Sequence, residues 1–122
     1  MKDFIVWDKV LKCFHLDGRV KLENGILKPI GKDYTIHKGI GLKDINGKSI
    51  YADCSIVEWL HQNVTYQGYF KFNVEKLYYE VIIIGSDMDN IYESVTVAYH
   101  YLNMNCLKII DTIQENKLGL IK

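Results

Sequence analysis

The chain has 122 residues, of which 48% are hydrophobic, 12% aromatic and 25% charged, the composition of an ordinary folded domain. Fifteen basic and fifteen acidic side chains cancel. The net positive field from which a nucleic-acid binder draws most of its affinity is therefore absent. These figures exclude a disordered chain, a collagen-like repeat and a disulfide scaffold, and at this length one domain with its own core is expected.

The predicted elements are mostly strands. At the N-terminus, Phe4–Trp7 reads as a short strand, and the charges at Lys2, Asp3, Asp8 and Lys9 leave no apolar signal-peptide region. Cys13 and His15 would share one face of an extended segment. Asp17-Gly18, Asn24-Gly25 and Asn46-Gly47 are dipeptides that tolerate positive φ and close tight turns, and Arg19–Leu22 is a strand between the first two. Pro29 and Gly31 predict a loop, and Gly39-Ile40-Gly41 punctuates the approach to the central segment. Ser49–Leu60 is one extended run rich in Ile, Val, Tyr and Trp.

Period-two alternation is clearest in the second half. Val64, Tyr66, Gly68, Phe70 and Phe72 share one face, as do Leu77, Tyr79, Val81 and Ile83, with Asn73–Lys76 as the turn between them. Val95, Val97, Tyr99 and Tyr101 repeat the pattern. Asp111–Lys122 breaks it and predicts a short C-terminal helix. Many short strands with tight turns and little helix imply an antiparallel sandwich or a small barrel.

Few motifs point to chemistry. Gly41–Ser49 imitates a phosphate loop, but five residues separate its glycines where four are required, and a strand follows instead of a helix. Asp44-Ile45-Asn46-Gly47 is a fragment of a calcium loop without its downstream glutamate. Cys13, Cys54 and Cys106 show no CxxC spacing, so buried free thiols are expected. Cys13 and His15 could join Cys54, Cys106 or His61 at a zinc ion, yet nothing in their spacing requires it. Cys54 has no basic neighbour to lower its pKa. His61 and His100 have no assignable partner as bases, and Asp111 and Glu115 suit one solvated helix face. The residues thus predict no catalytic group, no cofactor and no metal. Nine tyrosines are the one unusual feature. Sheet packing explains them first, a protein interface second and base stacking third.

One segment resembles a known family. Gly41-Leu42-Lys43-Asp44-Ile45-Asn46-Gly47-Lys48-Ser49-Ile50-Tyr51, followed by Ser55-Ile56-Val57-Glu58-Trp59, is similar to the hallmark of the YopX family of small phage and prophage proteins. Phe4-Ile5-Val6-Trp7-Asp8 resembles the family's opening motif, with Ile5 in place of the usual arginine. Ile109–Asn116, with Glu115 and Asn116, resembles its closing motif, with Lys117 where proline is common. Ile40 stands where threonine is usual, and Ala52-Asp53-Cys54 lengthens a turn. The resemblance implies a mainly-β protein with an SH3-like small barrel, acting in a bacterial cytoplasm. It brings no established catalytic residue.

Taken together, residues 1–122 are expected to form one domain. N-terminal strands would occupy 1–38, and the main barrel portion and tail 39–122. The expected function is non-enzymatic binding of another protein, as a homo-oligomer or with a phage or host partner. The alternatives are a nucleic-acid-binding small barrel and, behind it, an enzyme of unknown class. No run of about eighteen apolar residues exists, so no membrane partner is expected.

Overall fold

A computed structural model describes residues 3–61, 63–86, 95–98 and 107–121. In chain order the strands are β1 (Phe4–Asp8), β2 (Cys13–His15), β3 (Val20–Glu23), β4 (Ile26–Pro29), β5 (Tyr34–Lys43), β6 (Ser49–Tyr51), β7 (Ser55–His61), β8 (Val64–Asn73), β9 (Tyr78–Ser86), β10 (Val95–Ala98) and β11 (Lys108–Thr112). They form a four-stranded sheet ordered β2-β1-β5-β6, a five-stranded sheet ordered β10-β9-β8-β7-β11, and a separate hairpin, β3-β4. Every pairing is antiparallel. The fold is therefore mainly β, built from curled antiparallel sheets. Among the described residues no helix is long and apolar enough to cross a membrane.

Alternation places the core. Trp59, Phe70, Val81 and Ile83 from β7–β9 meet Ile50, Val57 and Leu107 in one buried cluster. Ile40, Leu42, Tyr66, Tyr79 and Ile109 pack against it. Burying side chains of this size stabilises by about 1.5–3 kcal/mol each. Trp59 stacks on Tyr66 with ring centroids 5.8 Å apart. The indole reaches this position because Gly68, at a register shift in β8, has no side chain. A Cβ there would sit 2.5 Å from the Ile82 carbonyl oxygen and 3.2 Å from the Trp59 ring.

The central turn is organised by Asp44. Its Oδ1 accepts the N–H groups of Asn46 (3.0 Å) and Lys48 (2.8 Å). Its Oδ2 accepts the N–H of Ile109 (3.0 Å) in β11, so one carboxylate closes a turn and ties it to a strand 65 residues away. Gly47 completes the turn at φ +81°, a conformation that costs a side chain energy.

Several expectations change on inspection. The Ser49–Leu60 run is two strands, because residues 52–54 turn. Asp53 takes φ +53°, the Ser55 hydroxyl accepts Tyr51 N–H (2.9 Å), and the Phe70 carbonyl accepts Asp53 N–H (2.8 Å). Gly39-Ile40-Gly41 lies inside β5, with Gly41 at a register shift. That strand also crosses the division expected between residues 38 and 39. Pro29 ends β4 instead of occupying a loop, and a two-stranded hairpin tolerates its missing N–H. Leu77 is exposed in the turn after Asn73, whose Oδ1 caps Glu75 and Lys76. Tyr92, Tyr99 and Tyr101 lie outside the described residues.

The short C-terminal helix does not form in residues 107–121, where β11 runs into a turn. One helix-like backbone bond forms, from Asn116 N–H to the Thr112 carbonyl (2.8 Å), but the neighbouring groups bond to side chains instead. Asp111 accepts the N–H groups of Thr112 (2.8 Å) and Leu118 (2.9 Å). Asn116 exchanges two hydrogen bonds with Ile121, and Asn116 and Gly119 both have positive φ.

Replacing Asp44 with asparagine (Asp44→Asn) turns one acceptor into a donor facing backbone N–H groups. Urea denaturation should show a loss of about 2–3 kcal/mol. An unchanged midpoint would mean that the turn holds without its carboxylate.

Candidate functional site

The β3-β4 hairpin stands apart from both sheets. Its turn is the Asn24-Gly25 pair at φ +54° and +77°, the two-residue geometry whose twist matches paired strands. Register puts Val20 opposite Pro29 and Leu22 opposite Leu27 on one face, with Lys21, Glu23, Ile26 and Lys28 on the other. The hairpin is thus amphipathic. Glu23 pairs with Lys21 (3.3 Å) and Lys28 (3.6 Å). Leu22 on the apolar face remains 73% exposed. Among the described residues β3 pairs only with β4, so its other edge carries no strand.

Beneath the hairpin lies an open groove of about 760 Å³. Leu27 and Pro29 line it from β4, Tyr34, Ile36 and Lys38 from β5, and Phe72 and Tyr79 from the β8-β9 pair. Phe72 and Tyr79 meet edge to face at 5.2 Å, the arrangement ring quadrupoles favour.

His37, buried at the back of this groove, is a fixed neutral group. Its Nδ1 lies 3.2 Å from the Ala52 carbonyl oxygen, which can only accept, so Nδ1 carries the proton. Nε2 then accepts from the Thr35 hydroxyl (3.1 Å) and the Gln114 amide (3.2 Å), while that amide also donates to the Asp53 carbonyl (3.0 Å). Burial pushes the imidazole pKa down, against the opposing pull of the Ala52 carbonyl and Asp53. This network joins β5, the 52–54 turn and the C-terminal turn. It offers no free base.

Cys54 is equally inert. Burial first, then the Glu115 and Asp53 carboxylates, pushes its thiol up to about 12. Cys13 and His15 do share a face of β2, as expected, and among the described residues the ligating group beside them is Asp8. Asp8 sits opposite Cys13 across the β1-β2 pair. His15 Nε2 lies 3.0 Å from Asp8 Oδ2 and 4.0 Å from Cys13 Sγ. Asp8 Oδ1 accepts the N–H groups of Val10 (3.0 Å) and Leu11 (2.9 Å). His15 and these N–H groups hold the Asp8 carboxyl below the usual carboxylate range. Asp8 is not legible as a ligand in the sequence because only strand register brings it to Cys13; its place before the turn at residues 9–12 is the one local signal. Cys106, His100 and the His61 side chain lie outside the described residues.

The family-like residues occupy turns, sheet and core. Trp7 packs on Phe14 at 4.7 Å. Ile50, Ile56, Val57 and Trp59 are buried, and Leu42 packs against the same cluster. Gly41 takes φ +84° at its bulge. Lys43, Asn46 and Lys48 are exposed around Asp44, and Tyr51 is half-buried at the end of β6. For Asp44 and Asp111 burial alone would raise the carboxyl pKa, but backbone N–H donors outweigh it and both are held low. Glu115 and Asn116 shape the C-terminal turn: the Thr112 hydroxyl donates to Glu115 (3.3 Å), and Asn116 bonds Ile121. Asp111 and Glu115 do not share a helix face, because Asp111 belongs to a strand and Glu115 to the turn after it. Compared with protein-family models and with curated proteins, the chain matches none.

Cys54 should resist alkylation. A rise from the ordinary 9.0 to about 12 leaves roughly a thousandfold less thiolate. Iodoacetamide labelling read by peptide mass should mark Cys54 in denaturant and spare it in the native protein. Native labelling of Cys54 at the denatured rate would contradict its burial.

His37 predicts a pH dependence. The unfolded imidazole protonates near 6.5 and the folded one only at lower pH. Between these values the unfolded chain binds more protons, so stability rises with pH and is lost as pH falls below about 6.5. Thermal unfolding between about pH 7 and pH 5 should be steeper for the parent than for His37→Gln. Equal slopes would remove His37 as the cause.

Proposed function

We propose that this chain is a YopX-like accessory protein of phage or prophage origin, an SH3-like barrel with additional strands, that acts in the bacterial cytoplasm by binding protein. Its first partner in this reading is a second copy of itself. The observation that carries the proposal is the free edge of β3, whose sequence Lys21-Leu22-Glu23 is complementary to its own reverse. An antiparallel pairing centred on Leu22 places Lys21 opposite Glu23 of the second copy, and Glu23 opposite its Lys21. Both ion pairs form at once, as a two-fold interface requires. The product is a four-stranded sheet, β4-β3-β3-β4, with Val20, Leu22, Leu27 and Pro29 of each copy on one apolar face.

Two further features support the reading. With no net charge, two copies meet without long-range repulsion. The groups best placed for chemistry near the groove are occupied: the Cys54 thiol stays protonated and His37 is a neutral link between segments. An interface built on so short a strand is small, so the association is concentration-dependent.

Sedimentation equilibrium over a concentration series should show a monomer–dimer equilibrium that weakens with salt. Lys21→Glu places like charges across the axis and should abolish the dimer; adding Glu23→Lys in the same chain should restore it. A monomer at every concentration, or a dimer indifferent to Lys21→Glu, would overturn the proposal.

A further inference from the structure

The β1-β2 hairpin carries a cluster that neither the groove nor the free edge uses. Asp8, Cys13 and His15 offer one carboxylate oxygen, one sulfur and one ring nitrogen, all within 4.8 Å of one another. Asp8 is buried and the other two are half-buried. These residue types also make up thiol-dependent catalytic triads, but the geometry forbids that use. A relay needs the thiol and the carboxylate on different nitrogens of the imidazole. Here the same atom, Nε2, faces both Cys13 Sγ (4.0 Å) and Asp8 Oδ2 (3.0 Å). One nitrogen cannot donate a proton to Asp8 and take one from Cys13.

Convergence of three unlike donors on one point is what a metal ion requires. We infer that Asp8, Cys13 and His15 form a three-residue binding site for a divalent zinc-class ion, with solvent in the fourth position. Zinc bond lengths place tetrahedral donor atoms about 3.3–3.6 Å apart. The Nε2–Oδ2 and Nε2–Sγ separations of 3.0 and 4.0 Å bracket that range, and with all three atoms within 4.8 Å of one another, side-chain adjustments of up to about an ångström complete the site. A thiolate with an imidazole selects zinc over magnesium or calcium. The hairpin is also braced for the task. Asp8 Oδ1 is held by the N–H groups of Val10 and Leu11, which leaves Oδ2 directed at the cluster as an outer partner would orient it. Trp7 and Phe14 pack together at the next position along the same strand pair. An Asp8–His15 ion pair alone needs no sulfur, and this separates the two accounts.

The test is titration of the full chain, metal-free and reduced, with Zn²⁺ and with Co²⁺. One equivalent of Zn²⁺ should bind and raise the unfolding temperature. Co²⁺ should give the thiolate charge-transfer absorption and the intense visible bands of a four-coordinate site. Cys13→Ser should abolish the charge-transfer band, and Asp8→Asn, which can still cap the turn, should weaken binding at least about tenfold. Cys54→Ser and Cys106→Ser should bind as the parent does. Failure of the parent to bind one equivalent would overturn the inference, as would a charge-transfer band that survives Cys13→Ser. Circular dichroism of each variant separates loss of ligation from loss of fold.

Discussion

The Asp44 carboxylate accepts three backbone N–H groups, two from its own turn and one from β11. That triple contact fixes where the β5-β6 turn meets the edge of the other sheet, and much of the remaining geometry follows from it. Ile45 N–H donates to the Leu107 carbonyl (2.8 Å) at the same junction, which seats Leu107 in the core. Two other buried aspartates work the same way. Asp8 closes the turn after β1, and Asp111 closes the turn after β11. Each is charged, and each has enough donors to offset the loss of water, which is the condition for burying a carboxylate.

This use of aspartate bears on how the two sheets are joined. The apolar cluster fills the space between β5, β6, β7, β8, β9 and β11, but apolar contact has no direction. Direction comes from the polar links at the rim. Asp44 reaches β11. His37 and Gln114 connect β5 with residues 52 and 53, and the Lys38 and Phe70 carbonyls hold the same turn from opposite sheets. The 52–54 turn is therefore gripped from three sides, which accounts for the complete withdrawal of Cys54 from solvent.

The sequence made the strongly alternating pieces legible. β8 and β9 emerge from Val64–Phe72 and Leu77–Ile83 with Gly68, Phe70, Val81 and Ile83 inward as read, because period two with one buried face has a single solution; the exceptions are Phe72 and Leu77, which are exposed at the turn end of the pair. β1, β3 and the Asn24-Gly25 turn were legible for similar local reasons. Less visible was what tertiary contact decides. β5 contains two glycines that read as punctuation, yet it pairs with β1 and β6 and tolerates a bulge at Gly41. The C-terminal segment carries helix-forming residues, but Asp111 and Asn116 capture the N–H groups and carbonyl that a helix needs. Of the candidate ligand set the sequence showed only that Cys13 and His15 share a strand face; Asp8 joins them by register.

Pro29 sets a boundary on any assembly built through the hairpin. Once the two β3 edges are joined in the proposed pairing, the outer rims are the β4 strands, each ending in a residue without an amide hydrogen and lying alongside β5. Such a rim pairs less readily with a third chain. In the proposed dimer the same short hairpin that would accept a twin would also limit growth along this sheet, because its outer rims offer a third chain a poorer template than β3 does.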